Sequence, residues 1–327
     1  MSARQLLLSG LGGLFLGILL TIATQSYIGS SREMEVEREV HLGVSDFVNP
    51  LLDCPASSAA TPPSQAALEN EISDYVSRKT KTLDVREIAV YFRDLNNGPA
   101  FGISPRSKFS TASLLKVPVM IGVFKRTETR PGLLDERVVY DRSLHDIPNL
   151  TQTVDPPEPL VPGKSYSVRE LIERMIILSD NAASAMLISY LPDIDVVKVL
   201  QEMGVKMEVR EDDVSITVRS YASVFRILYN ATYLNKAMSN KALSLLARSR
   251  LRVGLPAGAP EDVPVAHKFG ERTIGTVSQF HDCGIVYHPQ RPYLLCVMTR
   301  GRSYPPLVKT VAEVSRMVFE KVNHGPW

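Results

Sequence analysis

Ser113 and Lys116 have the types and the spacing of a nucleophile with its own base. Residues three apart on a helix share one face, so the hydroxyl and the amine point into the same space. A serine hydroxyl is a poor nucleophile near neutral pH until a neighbour takes its proton. Lysine can do so where desolvation or nearby cations lower its pKa. Leu114, Leu115, Val117, Val119 and Met120 would bury this turn and leave the two residues as its polar face. Taken alone, S-x-x-K arises by chance in many chains of this length, and a solvated lysine one turn from a serine is the ordinary reading. Two further clusters shift the balance. Ser179-Asp180-Asn181 follows Ser113 by sixty-six residues, and Lys268-Phe269-Gly270 follows Ser179 by eighty-nine, after Gly254-Leu255-Pro256-Ala257-Gly258.

The elements that must position these groups are legible from pattern. A polar, alanine-bearing stretch from Ser64 to Lys79 has helical periodicity. Strands are expected at Glu87 to Asp94 and Ala100 to Ile103, with Asn96-Asn97-Gly98 as the hairpin turn between them. From Ser110 to about Arg248 the pattern is helical, strongest over Ser167 to Tyr190, with helices also at Asp193 to Met203, Arg219 to Leu234 and Lys236 to Arg248. Val263 to Phe269, Thr276 to Tyr287 and Pro292 to Thr299 read as three antiparallel strands, with the turn His288-Pro289-Gln290-Arg291 between the last two. A helix from Pro306 to Val322 closes the chain. Strands at both ends around a helical middle predict an α/β (α+β) domain: an antiparallel sheet flanked by helices, carrying an inserted all-α subdomain.

Composition sets the class. With 327 residues, 44% hydrophobic and 22% charged, the chain can bury a large core. A net charge of +2 gives no footing for nucleic acid. No phosphate loop, H-E-x-x-H helix or cysteine pair with metal spacing occurs, so neither a cofactor nor a metal is expected. Gln5 to Ser31 is free of charge, and Leu6 to Ala23 is nearly all apolar, about the 20 residues that span a bilayer. The expected organisation is therefore a membrane anchor over 1–30, a linker over 31–63 and a catalytic domain over 64–327, with the domain outside the cytoplasm. A cleaved signal peptide is the rival reading of the first segment. Cys283 and Cys296 lie on consecutive strand-like runs, so a bridge between them and two buried thiols both stay open.

Three motifs in this order, on a helix start, a helix end and a strand, resemble those of the penicillin-recognising serine hydrolases, and over about Ser64 to Val322 the chain resembles a class A serine β-lactamase. The phrases Tyr166-Ser167-Val168-Arg169-Glu170-Leu171-Ile172 and Val265-Ala266-His267-Lys268 add to the likeness. The resemblance implies that Ser113 forms an acyl-enzyme on a β-lactam or D-alanyl peptide and that Lys116 accepts its proton or tunes the local field. By the same likeness Ser179 carries a proton to the departing nitrogen, and Lys268 supplies positive charge beside it. Asn181, Gly270, Glu271 and Arg272 are implied on the substrate side, with the backbone N–H groups of Ser113 and Glu271 as oxyanion hole.

Two departures qualify the likeness. The class A loop with its E-x-x-L-N signature, which holds the glutamate that activates the deacylating water, has no counterpart between Leu191 and Val218. Asp213 to Thr217 resembles only that loop's end. Glu208, Glu211 and Asp212 lie nearby and read first as a solvated acidic turn before a helix capped by Ser215 or Thr217. Phe269 replaces the hydroxyl residue that helps hold the substrate carboxylate, a loss of about 1.5 to 3 kcal/mol, for which Arg272 or His267 is the candidate compensation. Three functions follow: an anchored β-lactamase-like hydrolase, a slow acyl-transferring D-alanyl peptidase, and an envelope binding domain without turnover. The intact motif residues weigh against the third.

Overall fold

The computed structural model describes residues 63–96, 100–141, 156–210 and 213–324. The anchor expected over 1–30 and the linker expected over 31–63 lie outside them except for Pro63, which begins a helix, and so do Asn97 and Gly98 of the expected hairpin turn, Glu211 and Asp212. Among the described residues no helix is long and apolar enough to cross a membrane.

A five-stranded antiparallel sheet is the centre of the domain. Its strands are β1 (Val85–Asp94), β2 (Ala100–Ile103), β8 (Val265–Ile274), β9 (Val277–Val286) and β10 (Tyr293–Gly301), in the order β2-β1-β10-β9-β8. N-terminal and C-terminal strands pair directly, Val90 opposite Val297 and Phe92 opposite Leu295. Both faces are covered, which is why these strands read as continuous apolar runs instead of alternating ones. On one face Ile88, Val90, Phe92, Leu295 and Val297 pack with Leu68 and Ile72 of α1 (Pro63–Lys79) and with Val311, Val314 and Val318 of α8 (Tyr304–His324). On the other, Ala89, Leu294, Cys296 and Met298 meet the helices of the middle of the chain.

That middle is built on α2 (Lys116–Thr129), buried along its first nine residues from Lys116 to Phe124. Around it stand α3 (Val168–Ile177), α4 (Asn181–Tyr190), α5 (Val196–Glu202), α6 (Val218–Tyr229) and α7 (Lys236–Ala247). Local chemistry sets their starts. Ser167 and Glu170 form a reciprocal capping box on α3, Asp180 caps α4, Asp195 caps α5 and Thr217 caps α6.

The stretch expected to be wholly helical contains short strands. β3 (Lys108–Ser110), β6 (Met207–Arg210) and β7 (Asp213–Thr217) form a second sheet in the order β3-β7-β6, and β4 (Arg137–Val139) pairs with β5 (Ser165–Ser167). Asp213 to Thr217, which resembles a loop end, is thus a strand. Cys283 and Cys296 stand directly opposite on β9 and β10 with Cα atoms 4.0 Å apart, and they are bridged.

Candidate active site

Ser113 does not sit on a regular α-helix. It lies half-buried in a 3₁₀ turn, Ala112–Leu115, with Lys116 as the first residue of α2. In a 3₁₀ turn residues i and i+3 eclipse, so the expected shared face survives by a tighter geometry. The turn is clamped from three sides. Thr111 donates from its backbone N–H and its hydroxyl to the carbonyl of Val214 on β7, 2.9 Å in each case. The buried hydroxyl of Tyr221 on α6 donates to the Leu114 carbonyl at 2.8 Å. On the third side β8 approaches so closely that a Cβ on Gly270 would stand 3.0 Å from both the Leu114 Cγ and the Thr111 carbonyl oxygen. Ala112 has φ +45°, a left-handed conformation that non-glycine residues keep where surrounding structure enforces it.

The three motifs meet through Ser179. Its hydroxyl oxygen accepts from Lys268 Nζ at 2.9 Å and from Lys116 Nζ at 3.2 Å. With both lone pairs engaged by amines, the Ser179 proton is left to donate elsewhere. Ser179 is itself left-handed, φ 57°, between the end of α3 and the Asp180 cap of α4. Asp180 accepts from Ala183 N–H at 3.1 Å and pairs with Arg174 Nε at 2.9 Å, which fixes this corner. Lys116 Nζ also donates to the Ser179 carbonyl and, at 2.5 Å, to Asn181 Oδ1. Its hydrogen bonds go to the second motif and not to the Ser113 hydroxyl, so the resting amine is aimed across the site.

Burial tunes both lysines. Lys116 is 5% exposed, and desolvation brings its pKa down to about 7 against the opposing pull of Asp180 and Glu271. Lys268 is fully buried, and desolvation, then the charge of Lys116, hold it well below the usual lysine range. Its ammonium lies 3.9 Å from the centroid of the Phe269 ring and donates to the Phe269 carbonyl at 2.9 Å.

Of the residues implied on the substrate side, Asn181 is brought to the lysines. Glu271 follows the close approach at Gly270, with its charge felt at both amines. Gly270 serves first as the contact point between strand and nucleophile turn. Arg272 is drawn to Asp213, 2.8 Å, and to Ser110 Oγ, 3.3 Å, so it ties β8 to β3 and β7. His267, the other suggested compensation for Phe269, is 1% exposed and bonded to buried Asp282 at 2.8 Å. That bond holds its ring in the interior, away from any substrate. Glu208, expected in a solvated acidic turn, is instead on the strand β6, where its part-exposed side chain pairs with Lys108.

A sequence model described as the β-lactamase enzyme family matches residues 67–322. The chain belongs to this family. It is a serine hydrolase of β-lactamase type in the sense that the family and fold define. Among solved structures it is similar to PBP-A, with 25% identity over 79% of this chain and 96% of that one and a TM-score of 0.67. It is equally similar to a PBP-A variant in an acyl-enzyme complex with penicillin G, with 25% identity, coverage of 80% and 99%, and a TM-score of 0.68. A class A β-lactamase from Mycobacterium abscessus shares the fold at 22% identity, with coverage of 77% and 99% and a TM-score of 0.66. Among curated sequences none matches.

Proposed function

We propose that the chain forms an acyl-enzyme at Ser113 on β-lactams and related acyl-amides and releases it slowly. The observation that carries this reading is the bridge of Ser179 between the two buried lysines, one of them with its pKa near neutrality. Neutral Lys116 takes the Ser113 proton as Oγ attacks the carbonyl carbon. The oxyanion is held by the backbone N–H groups of Ser113 and Glu271. When the carbon–nitrogen bond breaks, Ser179 gives its proton to the nitrogen and regains one from Lys116 across the 3.2 Å contact. Every proton is then accounted for, and the acyl group rests on Ser113.

Slow release is supported by the segment that would hold a deacylating carboxylate, where Glu208 is exposed and ion-paired. General-base assistance to water is worth about 10² to 10⁴ in rate. A D-alanyl peptide is the second substrate reading, favoured by Phe269 in place of a carboxylate-binding hydroxyl and by the likeness to PBP-A. The uncharged stretch from Gln5 to Ser31 supports a location outside the cytoplasm, held by an N-terminal membrane segment, and the Cys283–Cys296 bridge fits an oxidising compartment.

The test is to incubate the protein with benzylpenicillin and with a chromogenic cephalosporin, following intact mass and product together. A persistent adduct, absent in Ser113→Ala, is expected. Rapid product without adduct would replace slow release by full β-lactamase turnover, and neither adduct nor product from folded protein would remove Ser113 as the nucleophile.

A further inference from the structure

A cavity of about 130 Å³ has the immediate neighbours of Ser179 and Lys268 in its wall. Its walls are Ile177, Leu178, Leu251 and Phe269, with Pro156 and Pro157, and Arg250 stands at its edge. Leu178 directly precedes Ser179, and Phe269 directly follows Lys268. The Phe269 ring centroid lies 3.9 Å from Lys268 Nζ, which bonds Ser179 Oγ at 2.9 Å, so the cavity adjoins the residue that, on the acyl-enzyme reading, hands a proton to the departing atom. Arg250 is fastened there by its backbone N–H, which donates to the Ile177 carbonyl at 3.0 Å. Its side chain is exposed, and among the described residues no carboxylate pairs with it. Lys268 is fully buried beneath Phe269 and Ser179 and presents no ammonium to solvent. Arg272 is spent on Asp213. Among the residues that line the cavity, Arg250 is the cation available to an anionic leaving group.

We propose that this cavity receives an apolar side chain on the leaving-group half of the substrate, with the adjoining carboxylate paired to Arg250. The proposal rests on the acyl-enzyme reading for what counts as leaving group. A dry apolar cavity of roughly 150 Å³ accepts a benzene ring, so a side chain between leucine and phenylalanine in size fits and the methyl of an alanyl group leaves it mostly empty. The substrate class is an acyl ester or amide of an α-hydroxy or α-amino acid with a bulky apolar side chain and a free carboxylate. Phe269, which costs the site a hydroxyl, supplies the wall in exchange.

The test is a binding titration of the whole protein with D-phenyllactate and D-lactate, which needs no chemistry at Ser113. Phenyllactate is expected to bind about tenfold or more tightly than lactate, since burying a phenyl group is worth one to two decades. Leu251→Trp, which fills the cavity, should abolish that preference, and Arg250→Gln should weaken both acids several-fold. On the wild-type protein, nuclear Overhauser contacts from the ligand's phenyl protons to the Leu178 and Leu251 methyl groups are expected, so a misfolded variant does not remove the test. Equal affinities, a preference that survives Leu251→Trp, or absence of those contacts overturns the proposal. Benzylpenicillin labelling of Ser113 in the same preparation is scored separately: its failure removes the acyl-enzyme reading and leaves the titration result standing.

Discussion

Around Ser113 the polar side chains are buried and converge, whereas between Leu191 and Val218 the carboxylates of the described residues are exposed or committed elsewhere. In the first region Lys116, Ser179 and Lys268 are each at most 5% exposed and share hydrogen bonds. In the second, Asp193 pairs with Arg126, Asp195 caps α5, Glu202 accepts from the Tyr233 hydroxyl, and Glu208 pairs with Lys108. Asp213 binds Arg272 and Ser110. Desolvation perturbs a pKa and an exposed ion pair is worth little, so among the described residues of the two regions it is the first that holds groups tuned for proton transfer. The difference teaches that acylation and deacylation are separable structural provisions: one region can be kept complete while the other is rebuilt as scaffold.

The comparison is broken most directly at Lys116. Lys116→Ala should slow acylation by benzylpenicillin about 10² to 10⁴-fold, read as the rate of adduct formation by intact mass. In the wild type the neutral amine is the active form and its fraction grows with pH. The acylation rate should therefore rise roughly tenfold per pH unit below the lysine's pKa of about 7 and level off above it. A rate flat from pH 5 to 9 would put the base elsewhere. Gly270→Ala comes next. Its Cβ would press on Leu114 and Thr111 at 3.0 Å, displacing the nucleophile turn slightly; since a misplacement of about 1 Å costs about 10²-fold, a loss of up to about tenfold is expected. Acylation should fall with thermal stability little changed, because the strand remains paired; an unaltered rate would show that the turn yields without consequence.

Much of this was legible because it is local. Ser113 and Lys116 are tied by an i, i+3 spacing, and the other two motifs are triplets, so each carries its chemistry within a few residues. The sheet strands announced themselves as apolar runs because both faces are covered. β6 did not, because Met207-Glu208-Val209-Arg210 is a mostly exposed edge strand whose identity comes from pairing with β7. Phe109, fully buried in β3, is one apolar position in a three-residue strand, too few for a period. His267 is excluded by its bond to Asp282 on the adjoining strand, a neighbour that follows once β8 and β9 are read as consecutive antiparallel strands. Arg250 could not have been found that way, since its cavity joins segments near residues 156, 177, 250 and 269 that nothing in the sequence relates.

Smaller effects sharpen the same contrast. Phe269→Thr returns a hydroxyl to the acylation region and should speed acylation by benzylpenicillin about tenfold, the lower end of what one hydrogen bond to a charged group contributes. The adduct's lifetime should not change, since the substitution adds nothing to activate water. Slower acylation would mean that the wall made by the ring matters more to penicillin than the missing bond.

Glu208→Gln probes the other region and is expected to do almost nothing. The side chain is 44% exposed and already held by Lys108, and substitutions of that kind usually shift free energies by no more than about 0.5 kcal/mol, roughly twofold in a rate. Were Glu208 the base for deacylation, the lifetime of the Ser113 adduct would instead lengthen by about 10² to 10⁴. Lifetimes measured by intact mass after removal of free penicillin separate the two outcomes by at least a decade. A long lengthening would mean that the ion pair opens when the acyl group is bound, and the division between a tuned region and a scaffold region would fail at Glu208.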